Sequence, residues 1–280
     1  MRLKAVCALA ACAAGVTGAA SLHAQSPQGH GIAGFWSMAP GPTPPRRAAT
    51  PVEAELIKQL REGAVLLADA GATEFPPGDY GGLNVKASLR EAAKSYDPEN
   101  QTDVSLTCRP PGVIYSMQGP FPIEIFEGRD LVVIKLEYFD LVRIVFMNET
   151  EHPDDWPHSQ TGHSIGRWDG ETLVVDTAAL MPGTLFNNGV DYTENVHLLE
   201  RFRLADANTL VVTQQFEDAG SFDGTAARIM SLLESGVFCA ANGDAITNNK
   251  TIDVSKRIAS PFRTREARCR VHRQSACSPN

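Results

Sequence analysis

The run from His163 to Thr177, His-Ser-Ile-Gly-Arg-Trp-Asp-Gly-Glu-Thr-Leu-Val-Val-Asp-Thr, limits the possible folds of this chain more than any other stretch. Asp169-Gly170 separates two alternating segments, and Asp-Gly is a favoured pair for a two-residue hairpin turn whose central residues both take positive φ. A hairpin closed there sets Trp168 against Glu171, Arg167 against Thr172, Ile165 against Val174 and His163 against Asp176. Side chains alternate along a strand, so His163, Ile165, Arg167, Thr172, Val174 and Asp176 share one face. Directly opposed Cβ atoms lie roughly 4.5–5.5 Å apart, within reach of a hydrogen bond from imidazole to carboxylate. Ser164 faces away from His163, so these two cannot form a Ser–His couple.

Strand signals dominate the rest of the chain beyond residue 120. Leu131 to Glu137 and Leu141 to Met147 are Val/Ile-rich and joined tightly around Tyr138-Phe139-Asp140, which predicts a second hairpin. Lys135 and Glu137 alternate with Ile134 and Leu136, giving one wet and one buried face. A third hairpin is predicted from Val196 to Glu217 across Ala205 to Asn208, and Arg228 to Leu233 adds a further strand. No βαβ alternation or repeat is visible. The expected fold is mainly β, a lipocalin-like antiparallel barrel or strongly bent sheet with one or two N-terminal helices. Thr50-Pro51-Val52-Glu53 reads as a capping box with Pro at the first helical position, opening a helix expected to reach about Ala68. Leu56, Leu60 and Leu67 would face the core. Residues 71–101 read as a covering loop with a short helix at Ser88 to Ser95, and Trp36 in Gly34-Phe35-Trp36 as a plug at a barrel end or a plain core residue.

The first residues, Met-Arg-Leu-Lys followed by small apolar side chains, read as an export leader cut after Ala24, or near Ala20. Leu9-Ala10-Ala11-Cys12 offers a lipoprotein box as an alternative. No later run is long enough to span a bilayer, so the expected location is periplasmic or secreted. Residues 25–255 form the expected single domain. Without the leader, 23 Lys and Arg face 33 Asp and Glu, a net charge of −10. Residues 256–280 carry seven basic residues and one Glu, so the body before them is strongly acidic, which argues against nucleic-acid binding. That tail reads as a loosely held end. Cys108, Cys239, Cys269 and Cys277 in an oxidising compartment suggest disulfides; proximity favours Cys269 with Cys277, leaving Cys108 with Cys239. No metal-ligand spacing is present, and neither structural zinc nor an organic cofactor is expected.

Four of the six histidines beyond the leader fall between residues 152 and 197. His152, Asp154, Asp155, Trp156 and His158 precede His163 in a Pro-containing loop. Asn187, Asn188, Asp191, Tyr192 and Glu194 lead to His197, Glu200 and Arg201. A carboxylate fixes an imidazole's tautomer and raises its basicity, which suits a proton shuttle. The expected catalytic group is His163 oriented by Asp176, with His197 or Glu194 as proton partner. Arg167 would hold an anionic or oxyanionic group, and His152, His158, Asn188 and Tyr192 would contact substrate. The competing reading is a satisfied polar pair inside a core, with Glu200 and Arg201 as surface charges. The chain has no G-x-S-x-G elbow, phosphate loop or dinucleotide fingerprint.

The same run resembles a large group of exported bacterial proteins, with no activity assigned to the group, that share G-H-S-[IV]-G-R-W-[DE]-G-[DE]-T-L-V-V-D-T. The likeness extends to Cys108 with Pro110-Pro111-Gly112, Pro120-Phe121-Pro122, His152-Pro153, Glu194, His197, Glu200-Arg201-Phe202 and Cys239, over about residues 105 to 240. Thr193-Glu194-Asn195-Val196-His197 departs from the group's Ser-Glu-Ala-Leu-His but keeps the Glu and the His, while Ala240-Ala241-Asn242 lacks its pattern after the Cys. The resemblance implies that His163, Arg167, Asp176, Glu194 and His197 belong to one recurring site. The expected function is a cofactor-independent isomerase, lyase (dehydratase) or cyclase acting on a small, largely apolar or aromatic molecule in a barrel mouth or interior. The alternatives are a periplasmic small-molecule carrier and, more remotely, a cell-envelope structural module.

Overall fold

The structure is a computed structural model that describes residues 30–38, 50–67, 75–97 and 110–235. Its strands are β1 (Gly34–Met38), β2 (Val65–Leu66), β3 (Asn84–Val85), β4 (Ile123–Glu127), β5 (Leu131–Leu136), β6 (Leu141–Phe146), β7 (His163–Asp169), β8 (Thr172–Ala178), β9 (Gly183–Phe186), β10 (Val190–Tyr192), β11 (His197–Asp206), β12 (Thr209–Glu217), β13 (Phe222–Asp223) and β14 (Thr225–Glu234). Two helices, α1 (Pro51–Lys58) and α2 (Ala87–Ala93), and a helical turn at Val113–Ser116 complete it. The expectation of a mainly β barrel holds: β1-β4-β5-β6-β7-β8-β11-β12-β14 form one sheet that closes through β14 onto β1.

Nine strands cannot alternate direction all the way round a ring, so one neighbouring pair in the barrel must be parallel. That pair is β6–β7, with Val145 beside Ser164 and Phe146 beside Ile165. The end of β6 therefore meets the start of β7, and residues 147–162 leave and return at nearly the same place. This forced excursion carries His152, Trp156 and His158. Inside the barrel Trp36, Ile125, Ile134, Val145, Leu173, Val175, Leu198, Phe202, Val212 and Phe216 pack into one continuous core. Each such side chain contributes roughly 1.5–3 kcal/mol by leaving water. Trp36 sits on β1 within this core and donates its indole N–H to the Ile32 carbonyl at 2.8 Å.

The hairpin at Gly170 forms, with a different turn. Its central residues are Gly170 and Glu171, and only Gly170 has positive φ (59°), the pattern of a type II′ turn, which wants Gly first. Ile165 accordingly opposes Asp176, and His163 opposes Ala178. The predicted His163–Asp176 apposition is thus displaced by two residues. An even displacement keeps every side chain on its face, so the predicted set still lies together.

Thr50 caps α1 as expected: its hydroxyl accepts from the Glu53 amide at 3.1 Å, and the Glu53 carboxylate accepts from the Thr50 amide. The helix stops at Lys58, well short of Ala68. Beyond it the Arg61 amide donates to Gln215 Oε1 at 2.8 Å and its guanidinium pairs with Glu217. β1 covers only the C-terminal end of β14, and Val65–Leu66 pair in parallel with Ala226–Ala227 to fill the rest of that edge. An open sheet edge and a β-branched residue outweigh continued helix here. The short helix expected at Ser88 to Ser95 appears as α2. The leader, the four cysteines and the basic tail lie outside the described residues.

Candidate functional site

Alternation along β7, β8 and β11 places two polar groups back to back. Leu173, Val175, Leu198 and Phe202 belong to the core, so Ser164, Thr177 and Glu200 point inward with them. His163, Ile165, Arg167, Val174, Asp176 and His197 then stand on the outer face. The predicted histidine face is therefore not in the barrel mouth or interior, because the more apolar alternate set claims the inside.

On that outer face His163 lies opposite Ala178, and the pairing of Thr177 with Leu198 brings His197 alongside Ala178 from the other strand. The next row is Ile165, Asp176 and Leu199, and the one after it is Arg167, Val174 and Arg201. The loop after β6 lays His152 over this grid. Asp176 Oδ1 accepts hydrogen bonds from His152 Nε2 at 3.1 Å and from His197 Nε2 at 2.7 Å. His152 Nδ1 lies 2.8 Å from His163 Nδ1, and His163 Nε2 lies 3.0 Å from Glu149 Oε2. The last contact is an ion-pair distance without hydrogen-bond alignment. Gly162 brings the chain into place; its φ is +62°, and a Cβ there would meet the Ala178 carbonyl oxygen at 2.4 Å.

Hydrogen bonds join His163, His152, Asp176 and His197 in one relay, with Glu149 at ion-pair distance from its buried end, and the donor count limits where the protons sit. With Asp176 ionised, both Nε2 atoms facing it carry protons. If His152 is neutral, its Nδ1 is an acceptor, His163 Nδ1 donates to it, and His163 Nε2 stands bare before Glu149.

Burial separates the members of the relay. The side chain of His163 is fully buried, between the Phe146 ring (5.1 Å, stacked) and the Trp156 ring (4.3 Å), while those of Glu149, Asp176 and His197 are 37, 31 and 51% exposed. Desolvation, and then the charge of His152, lower the pKa of His163 against the opposing pull of Glu149. Burial works to raise Asp176, but hydrogen bonds and charge from His197, then His152, outweigh it and hold the carboxyl below its usual range. The hydrogen bond to Asp176 raises the pKa of His197 despite partial burial. Asp176 thus lies between His197, whose pKa it raises, and His152, which links it to the buried His163, whose pKa burial lowers; such opposed shifts in one cluster are common at proton-transfer sites.

The remaining predicted residues disperse. Glu194 is exposed at the turn before β11 and bonds to neither His197 nor Asp176. His158 Nδ1 donates to the Leu180 carbonyl at 2.9 Å, fastening the loop. Asn188 is buried and donates to the Asp79 carbonyl at 2.9 Å, and Tyr192 is core on the β9–β10 hairpin. Arg167 lies two rows from His163, roughly 13 Å along the strand. Glu149 escaped the sequence reading, because only the return of the loop shows that it meets His163.

Glu200, expected at the surface, lies inside the barrel. It pairs with Arg143, whose Nε donates to Ser164 Oγ at 3.0 Å and whose Nη2 donates to Thr177 Oγ1 at 2.6 Å; Gln214 Nε2 donates to Glu200 Oε1 at 3.0 Å. The sign in the sequence was parity, since Glu200 shares its strand face with Leu198 and Phe202. On the outside, a depression of ≈ 410 Å³ is lined by Arg61, Glu217, Phe222 and Thr225; His197 is not part of its lining, though Glu217 stands directly opposite it on the next strand. Among the described residues no group of three His, Cys, Asp or Glu side chains is placed to hold a metal ion, and no helix is long and apolar enough to cross a membrane. Comparison with known proteins adds no name to this geometry: no protein-family model matches the chain, and no curated protein is significantly similar to it.

Proposed function

We propose that the protein is an acid–base enzyme needing no organic cofactor, an isomerase, lyase (dehydratase) or cyclase, working on a small, largely apolar molecule at the outer face of the barrel. The observation that carries this reading is Asp176 Oδ1 accepting from two imidazoles at once, one of them half exposed. His197 is the group that reaches substrate, since its Nε2 is committed to Asp176 and Nδ1 faces outward from that bond. As the imidazolium it donates a proton; Asp176 orients it and stabilises its charge. His152, His163 and Glu149 are positioning and relay groups that return the proton from solvent. The depression lined by Glu217, which stands opposite His197, is the nearby space for a solute. The sequence's basic-then-apolar opening supports placing this activity outside the cytoplasm.

An NMR titration of the histidines in the wild-type protein and in Asp176→Asn tests the site. The expected result is a His197 pKa above the ordinary ~6.5 that falls in the variant, with His163 below it in the wild type. Ordinary titration of His197 in both proteins would remove the basis for the reading. Screening of elimination and isomerisation substrates follows; ligands that bind without turnover in wild type would favour the carrier.

A further inference from the structure

Two rows from the histidines, Arg167 on β7 and Arg201 on β11 flank Val174, each directly opposite it in the register. Val174 is only 3% exposed although it lies outside the main core, as expected beneath two long side-chain stems. Adjacent strands are about 4.8 Å apart, so the two arginines stand roughly 10 Å apart at the backbone, close enough for both guanidinium groups to converge on one anion. Neither makes an ion pair among the described residues. The Nη1 of Arg201 is shut off from solvent without a hydrogen-bond partner. Arg203, one row further, differs: it pairs with Glu55 at 2.7 Å and approaches Glu171 at 3.5 Å. Among the described residues, then, the neighbouring charge is neutralised by an ion pair and these two are not.

Between the arginines and His197 the outer face carries Ile165 and Leu199 on either side of Asp176. The loop bearing His152 and Trp156 borders this strip on one side. α1, packed on β11 and β12, borders it on the other. From the arginine row to the histidine row is four residues, roughly 13 Å.

We infer that Arg167 and Arg201 bind the carboxylate of an elongated amphiphile whose apolar chain lies over Ile165 and Leu199 and whose far end reaches His197. The ligand class is a monoanionic, chain-like carboxylic acid. This deepens the acid–base reading and rests on it only for which end of the molecule reacts. Paired guanidinium groups suit a carboxylate, which accepts in a planar, two-point fashion. Burial and then repulsion from Arg167 lower the pKa of Arg201, with Asp169 only partly opposing, as befits a guanidinium whose counter-ion arrives with the ligand.

Calorimetric titration of the purified protein with decanoate, decan-1-ol and acetate tests this. Decanoate is expected to bind at least tenfold more tightly than either, because only it offers both the charge and the chain. Arg167→Gln and Arg201→Gln are each expected to weaken decanoate at least tenfold and leave decan-1-ol unchanged, with Arg201→Lys intermediate. Decanoate is also expected to shift the His197 ring resonances. Acetate binding as tightly as decanoate, or decanoate affinity indifferent to Arg167→Gln, overturns the proposal. Arg167 is exposed, so its variant carries the test even if Arg201→Gln misfolds. The two readings fail separately: loss of decanoate binding leaves the His197 titration intact, whereas an ordinary His197 pKa defeats only the acid–base site.

Discussion

The inner and outer faces of the same three strands carry two polar networks of opposite character. Inside, Arg143, Glu200, Ser164, Thr177 and Gln214 are wholly buried, and their charges are matched within the barrel. Outside, Glu149, His163, His152, Asp176 and His197 grade from full burial to half exposure. A fully desolvated ion pair has one stable protonation state, since losing either charge strands the other. The outer group is graded in burial, and solvent reaches Glu149 at one end and His197 at the other. Identical strand geometry thus yields a fixed strut on one side and a partly solvated chain of histidines and carboxylates on the other, and burial makes the difference.

The largest expected effect tests the inner network. Glu200→Gln leaves Arg143 buried without its counter-charge and should cost about 3–5 kcal/mol in urea unfolding. The double change Arg143→Met with Glu200→Leu should recover most of that. A single-variant loss below about 1 kcal/mol would mean that the inner pair is not the strut described.

Thr50→Ala removes one half of the capping box on α1 and should cost about 1 kcal/mol. It should leave the histidine titrations untouched, because α1 bonds to none of the relay residues. A matching change in His197 would show that the helix helps to set the outer site.

Asp176→Asn should change stability less, by about 1 kcal/mol or under for a partly exposed pair, while lowering the pKa of His197. A large stability loss without a pKa change would place Asp176 with the inner class of groups.

The pH dependence of stability sharpens the same contrast. His163 has a lowered folded pKa, so its contribution is complete above ~6.5 and is lost as pH falls from there through the folded value. His197 has a raised folded pKa, so its contribution is complete below ~6.5 and is lost as pH rises through the folded value. Stability should therefore decline on both sides of that pH. His163→Gln should remove the part of the acid-side decline that starts near ~6.5, leaving the later fall below ~4 that the lowered Asp176 carboxyl produces, as followed by urea unfolding at a series of pH values. An unchanged decline between about pH 6.5 and 4 in that variant would assign it to other groups.

Much of this molecule was legible along the chain. The three hairpins, the cap of α1 and the set of side chains sharing the His163 face all follow from local pattern, because strand period, turn residues and capping act over a few neighbours. The two-residue error in the Gly170 turn left that set intact because side chains repeat with a period of two. Three things were settled only in three dimensions. Closure of the barrel chose which face of β7 and β8 turns inward, since both faces carry apolar residues. The parallel β6–β7 pair returned the intervening loop over the sheet, and so joined Glu149 and His152 to residues far from them in sequence. The pairing of Glu200 with Arg143 across the interior, like the appeal of the open β14 edge to Val65–Leu66, depends on neighbours that no local window contains. The sequence by itself determined the strands, their polar faces and the residue types available for proton transfer. The tertiary structure alone decided their partners and their exposure, because a hydrogen bond needs its two atoms about 3 Å apart and a pKa responds to whatever water the fold leaves around the group.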